Sequence, residues 1–114
     1  MITIFTPTYN RAYRLPDLYK SLQEQTCKDF EWLVVDDGST DNTSELLEQW
    51  QAEENSFPIR YFKQPNGGKH RAINRGVKEA KGELFFIVDS DDTLSSNAIR
   101  IVFEQYLSIK DDVS

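Results

Sequence analysis

Leu84-Phe85-Phe86-Ile87-Val88-Asp89-Ser90-Asp91-Asp92-Thr93 is the stretch from which the rest of the chain can be read. Five apolar residues, entered from Gly82 and left through polar ones, predict a strand buried on both faces. Acids then gather at its carboxyl end, where the central strands of an open α/β sheet present ligand-binding loops. An extended backbone there points Asp89 and Asp91 one way and Ser90 the other. Adjacent carboxylates repel, and a pair kept together asks for a cation between them. Oxygen ligands with no Cys or His nearby suit Mg²⁺ or Mn²⁺ better than zinc. The acids therefore nominate a divalent-cation site, and the plainer alternative is a solvated acidic turn ahead of the next helix.

Working outward, 114 residues with 39% hydrophobic and 28% charged composition allow one domain with a real core. A net charge of -6 and a pI near 4.7 argue against nucleic acid or an anionic membrane surface as partner. The same balance poses a problem for a phosphate-bearing ligand, which a bridging metal would solve. The single cysteine, Cys27, cannot form an internal disulfide, which suits a reducing compartment. No secretory signal or membrane-length apolar run is visible, so the segment is expected to be cytoplasmic.

Ile2-Thr3-Ile4-Phe5-Thr6, stopped by Pro7, predicts a first strand, and Leu15, Leu18 and Leu22 predict a helix with Pro16 in its first turn. Trp32-Leu33-Val34-Val35 predicts a second strand, also ending in acids. Asn42 and Glu45 have the spacing of a capping box before a helix that carries Leu46, Leu47 and Trp50. Ile59-Arg60-Tyr61-Phe62-Lys63, opened by Pro58, suits a strand at the sheet edge. After the Pro65-Asn66-Gly67-Gly68 turn, Ala72, Ile73, Gly76, Val77 and Ala80 form one helical stripe. Ile99, Val102, Phe103 and Tyr106 mark a last helix. Trp32 and Trp50 are assigned to packing, and His70 to solvent. Four strands alternating with four helices imply α/β architecture: an open, mostly parallel Rossmann-like sheet with helices on both faces.

In such a sheet the Pro7 to Arg11 loop, the Asp36-Asp37-Gly38 turn and the Asp89 to Thr93 turn line one edge and can share a ligand. Tyr9 offers a ring to a base, Asp36 or Asp37 can accept from a base N–H or ribose hydroxyls, and Arg11 and Lys69 can reach phosphates.

Four ordered segments carry a resemblance: Thr6-Pro7-Thr8-Tyr9-Asn10-Arg11, Val35-Asp36-Asp37-Gly38-Ser39-Thr40-Asp41, Asn66-Gly67-Gly68-Lys69 through Ala72 and Asn74, and Asp89-Ser90-Asp91-Asp92. Together they resemble the family 2 glycosyltransferases of GT-A fold. The resemblance implies a nucleotide-sugar donor, most often a UDP-sugar. Pro7 and Tyr9 would line the base pocket, Asp37 would contact the base with Asp36 beside it, and Lys69 would lie on the nucleotide side. Asp89-Ser90-Asp91 would be the acidic metal and ribose motif, with Asp91 the direct ligand; a register pairing Asp91 with Asp92 can also be drawn. The implied reaction is metal-assisted transfer of a sugar to an acceptor hydroxyl with inversion at the anomeric carbon. The acceptor would be a glycan, a lipid-linked species or a protein, and the cell-envelope polysaccharides are a natural destination. Residues 1–114 then correspond to a single nucleotide-sugar-binding domain, an incomplete GT-A domain. The general base is expected beyond Ser114, as is any region that would hold the enzyme at the inner face of a membrane. The segment alone is expected to bind donor weakly and transfer nothing.

Phe86 to Leu94 also fits the strand-then-acid signature of haloacid-dehalogenase-like phosphatases, in which Asp89 would be the nucleophile and Asp91 the general acid, again with Mg²⁺. That motif normally ends the first strand of its domain, and the reading leaves the Pro7 to Arg11 and Asp36-Asp37 loops unused. A non-catalytic binding module is the third reading.

Overall fold

Side chains of the first strand, β1 (Ile2–Thr8), alternate between two cores. The computed structural model describes the backbone of residues 1–112, with side chains through Tyr106. Beyond β1 the elements are α1 (Leu15–Gln23), β2 (Phe30–Asp36), α2 (Thr43–Ala52), β3 (Ile59–Lys63), α3 (Lys69–Glu79), β4 (Leu84–Ile87) and α4 (Ala98–Asp112). The strands form one sheet in the order β3-β2-β1-β4, every pair parallel. On one face Ile2, Ile4, Trp32 and Val34 pack against α1, α2 and α4 through Leu18, Leu47, Trp50 and Ile99. On the other, Phe5, Leu33 and Val35 meet Ala72 of α3. Helices therefore cover both faces, as the βαβ alternation predicts.

Three aromatic rings, Tyr19, Trp32 and Trp50, stack on the first face, with Tyr19 and Trp50 centroids 4.4 Å apart. The buried Trp32 Nε1 donates to Thr6 Oγ1 at 3.0 Å, so no polar atom of that ring is stranded. At the end of the sheet away from the site, the buried Glu31 accepts from Thr3 Oγ1 (2.6 Å), Lys81 N (2.8 Å) and Arg60 Nη1 (3.1 Å). Burial pushes its carboxyl upward, but these hydrogen bonds and the Arg60 charge outweigh burial and hold it below the ordinary value.

Several expectations change. The Leu84 to Val88 strand is not buried on both faces: β4 is an edge strand among the described residues, and Phe86 and Ile87 are 42% and 45% exposed. The centre belongs to β1 and β2, in which every residue is buried. Apolar content reports a preference for burial; which neighbours supply it is set by strand order. The first strand does not stop at Pro7 but runs to Thr8. The Phe5 carbonyl accepts from Val88 N, so Phe5 and Pro7 direct their main-chain groups toward β4, which has ended before Pro7 needs a donor. The Asn42 and Glu45 capping box does not form, since the Asn42 side chain makes no cap hydrogen bond and Asp41 serves the start of α2 instead. Val77 is 60% exposed. Helix α3 lies so close to the sheet that a Cβ on Gly76 would come 2.3 Å from Phe5 Cε1, and one residue further is a quarter-turn away from that contact. No helix among the described residues is long and apolar enough to cross a membrane.

Candidate functional site

The order β3-β2-β1-β4 reverses direction between β1 and β4, and a doubly wound sheet opens a crevice at that point beyond its carboxyl ends. The two loops that follow β1 and β2 are laced together there. Asn10 N donates to Ser39 Oγ at 2.8 Å, Asn10 Oδ1 accepts from Thr40 N at 2.8 Å, and Ala12 N donates to Asp41 Oδ2 at 3.1 Å. Asn10 sits at φ 52, the left-handed region that Asn tolerates better than most residues. Asp41 also accepts from Thr43 N and Thr43 Oγ1; burial opposes its charge, but these donors with Ala12 N hold its carboxyl below the ordinary value.

The second turn is fastened to the third segment by its acids. Asp37 accepts from Gly67 N at 3.0 Å and Gly68 N at 2.9 Å, drawing the start of α3 toward β2. Gly38 adopts φ 85 and a Cβ there would lie 2.8 Å from Asn66 N, so the close approach of the two turns requires glycine. Asp36 is fully buried, accepting from Tyr61 Oη at 2.6 Å and Ser39 N at 2.8 Å. Burial and the Asp36 carboxylate push the Tyr61 hydroxyl well above its ordinary range, so it stays a donor.

Between these loops and the acidic turn lies a cavity of about 440 Å³, within the range that holds a small-molecule ligand. Pro7, Tyr9, Arg11, Asp37 and Lys69 line it, as do Asp89 and Asp91, with Asp92 beside them. Asp36 does not line it. The alternation that puts Asp37 at the opening turns its neighbour inward, where the carboxylate holds the turn. Tyr9, one of the lining residues, is 45% exposed.

The acidic turn departs from the expected geometry. Its backbone is not extended: Asp92 N donates to the Asp89 carbonyl at 3.0 Å, closing a turn, and Ser90, though buried, also lines the cavity. The repulsion between the acids is relieved by basic side chains of this chain. Lys69 Nζ lies 3.1 Å from Asp89 Oδ1, and Arg11 Nε lies 3.3 Å from Asp91 Oδ1. Arg14 approaches the same oxygen at 4.0 Å and donates to the Asp91 carbonyl at 3.0 Å. Among the described residues no three His, Cys, Asp or Glu side chains gather as a ready metal cage. The donor set still fits Mg²⁺ or Mn²⁺, which take one or two carboxylates and complete their shell with water and phosphate oxygens.

Sequence reasoning missed Ser90, Arg14 and the Asn10, Ser39 and Asp41 lacing. Arg14 stands three residues after Arg11, its N donating to the Arg11 carbonyl at 2.9 Å in the turn that precedes α1. The lacing had no signal in the sequence, because it depends on two loops being neighbours.

The pattern of glycosyl transferase family 2 matches residues 3–114. Glycosyltransferase GlyG of Streptococcus pneumoniae serotype 4 is 37% identical over 106 residues, covering 92% of this chain and 35% of GlyG. The crystal structure of S. aureus TarS 1-349 in complex with UDP-GlcNAc has a TM-score of 0.83 at 30% identity, over 90% of this chain and 30% of that one. The mannosyltransferase PcManGT from Pyrobaculum calidifontis, in complex with GDP-Man and Mn2+, has a TM-score of 0.75 at 29% identity, over 81% of this chain and 28% of that one. The chain spans about a third of the length of these relatives, and its all-parallel sheet is that of GT-A glycosyltransferase structures. Matched by the family's pattern from Thr3 to its last residue, and folded as TarS is over nine-tenths of its length, the chain belongs to glycosyl transferase family 2.

Proposed function

We propose that this segment is the donor-binding part of an inverting glycosyltransferase that takes its sugar from a nucleotide-sugar, a UDP-sugar by preference, with Mg²⁺ or Mn²⁺. One observation carries the reading: a single cavity is lined by an exposed aromatic residue, a carboxylate, an acidic turn and the two cations paired with it. This matches a nucleoside diphosphate, which has a planar base at one end and negative charge at the other. Tyr9 and Pro7 would line the base, and Asp37 would accept its N–H. Asp37 Oδ1 accepts from Gly67 N and, at 3.5 Å, from Gln64 Nε2, whereas Oδ2 accepts from Gly68 N alone and keeps a second lone pair for that task. Asp36 would act from behind, holding the turn through Tyr61 and Ser39.

Asp91, with Asp89, would hold the divalent cation, which when bound supplies positive charge for the departing diphosphate. Arg11 and Lys69, already at the cavity wall, would turn from the carboxylates to the phosphate oxygens. The acceptor is proposed to be a glycan, a lipid-linked species or a protein, and the general base that activates its hydroxyl to lie beyond Ser114. On this reading the segment itself binds donor without transferring sugar. A reducing, cytoplasmic setting is supported by the free thiol of Cys27.

The test is a thermal-shift titration with UDP, GDP and ADP, each with and without Mn²⁺, on the wild type and Asp91→Asn. Saturation at a hundred times the dissociation constant stabilises by about 2.7 kcal/mol, a readily measured shift in a domain of this size. A UDP shift that Mn²⁺ enlarges, with the enlargement lost in Asp91→Asn, is the expected result. Equal shifts with every nucleotide, or none in a folded sample, would refute the reading.

A further inference from the structure

The acidic turn leaves the sheet at Val88, whose N donates to the Phe5 carbonyl at 2.8 Å, and rejoins the fold at Leu94, whose N donates to Ser21 Oγ at 3.2 Å. Between those anchors it carries three carboxylates within four residues, an arrangement that favours spreading apart. Its internal hydrogen bond, from Asp92 N to the Asp89 carbonyl, sets its curvature but not its place. Among the described residues, one hydrogen bond ties the main chain of 89–93 to another element: Arg14 Nη2 to the Asp91 carbonyl, at 3.0 Å.

Arg14 differs from the other two cations at this turn. Arg11 and Lys69 hold carboxylate oxygens and line the cavity, so both are free to exchange toward a phosphate. Arg14 stands outside the cavity lining, at the entry to α1, and its main hold is on a carbonyl. That hold does not depend on what the Asp91 carboxylate is bound to. The rigid guanidinium can keep one arm on the carbonyl while another faces Oδ1, 4.0 Å away, which a lysine ammonium cannot reproduce.

We propose that Arg14 is a positioning residue for the acidic turn: by pinning the Asp91 carbonyl it holds the Asp91 carboxylate at the cavity mouth for a divalent cation. The inference rests on the reading of the cavity as a nucleoside diphosphate site.

The experiment titrates Mn²⁺ at fixed UDP and follows melting temperature for the wild type, Arg14→Ala and Arg14→Lys. In Arg14→Ala the Mn²⁺ concentration for half-maximal stabilisation should rise about tenfold, the usual effect of removing a partner that orients a metal ligand. The shift produced by UDP without metal should stay as in the wild type, and Arg14→Lys should recover part of the loss. A merely structural role would lower the metal-free UDP shift together with the metal-dependent one, and that outcome overturns the proposal. An unchanged Mn²⁺ midpoint in a folded Arg14→Ala also overturns it. Should Arg14→Ala fail to fold, Arg14→Lys decides: a midpoint raised by about threefold or more supports the pin, and an unchanged one rejects it. If the wild type shows no response to UDP with Mn²⁺, the diphosphate reading fails and this inference fails with it; a wild-type response with an indifferent Arg14 refutes the inference alone.

Discussion

Ala12 N donates to Asp41 Oδ2 at 3.1 Å, joining the loop after β1 to the start of α2. Asp41 spends its other oxygen on Thr43 N and Thr43 Oγ1, so one carboxylate both caps a helix and ties it to the loop after β1. Asp41→Ala should cost about 1 kcal/mol of stability, the typical loss of a helix cap. It should also weaken UDP binding although Asp41 does not line the cavity. Urea denaturation and a UDP titration of the same variant check both parts.

Glu31 gives the fold an acid limit. Its carboxyl titrates below the ordinary value of 4.5 in the folded chain, so its contribution is complete above that pH and is lost as pH falls through the lower, folded value. Glu31→Gln leaves Arg60 without its most buried counter-charge and should destabilise by roughly 3 kcal/mol at pH 7. The difference between wild type and variant should shrink as the pH drops below 4.5, which melting curves across pH would show.

Gly76→Ala places a methyl group 2.3 Å from the Phe5 ring, which is itself fully buried and stacked on Phe85 at 5.2 Å. With no room for the ring to yield, α3 must lift from the sheet at a cost of about 1–3 kcal/mol. Lys69 and the glycine turn ride on that helix, so the variant should lose UDP affinity in proportion to its loss of melting temperature.

Lys69→Met tests the phosphate end. The side chain that now pairs with Asp89 would contact diphosphate, so affinity for UDP with Mn²⁺ should fall about tenfold while uridine binding stays unchanged, as expected for one charge-assisted hydrogen bond. Equal losses for UDP and uridine would move Lys69 to the base side.

The alternation of strands and helices was legible because each apolar run has the period of its element, and the edge position of β3 was legible in Pro58 and its mixed polarity. The position of β4 was not, since Phe86 and Ile87 have the composition of a central strand whatever lies beside them. At the site, seven of the eight nominated nucleotide-sugar contacts lie on one cavity because they fall at carboxyl ends of parallel strands, a matter of topology that spacing reveals. Asp36 and Asp37 look alike in one dimension, and only the fold decides that one faces Tyr61 while its neighbour lines the cavity. Arg14 escaped notice because its partner is a carbonyl 77 residues away, and a carbonyl has no sequence signature.

The strand order also sets a timetable. As the chain leaves the ribosome, β1 is followed by β2 on one side and β3 beyond it, so a three-stranded half can grow outward in sequence. Only then does the chain cross back over β1 to lay β4 on its other flank, pairing Ile2 with Leu84 across most of its length. Such distant pairing is slow to form. The cleft lies on this last seam, so the three strands β1, β2 and β3 can be in place before the cavity has its Asp89 to Asp92 wall.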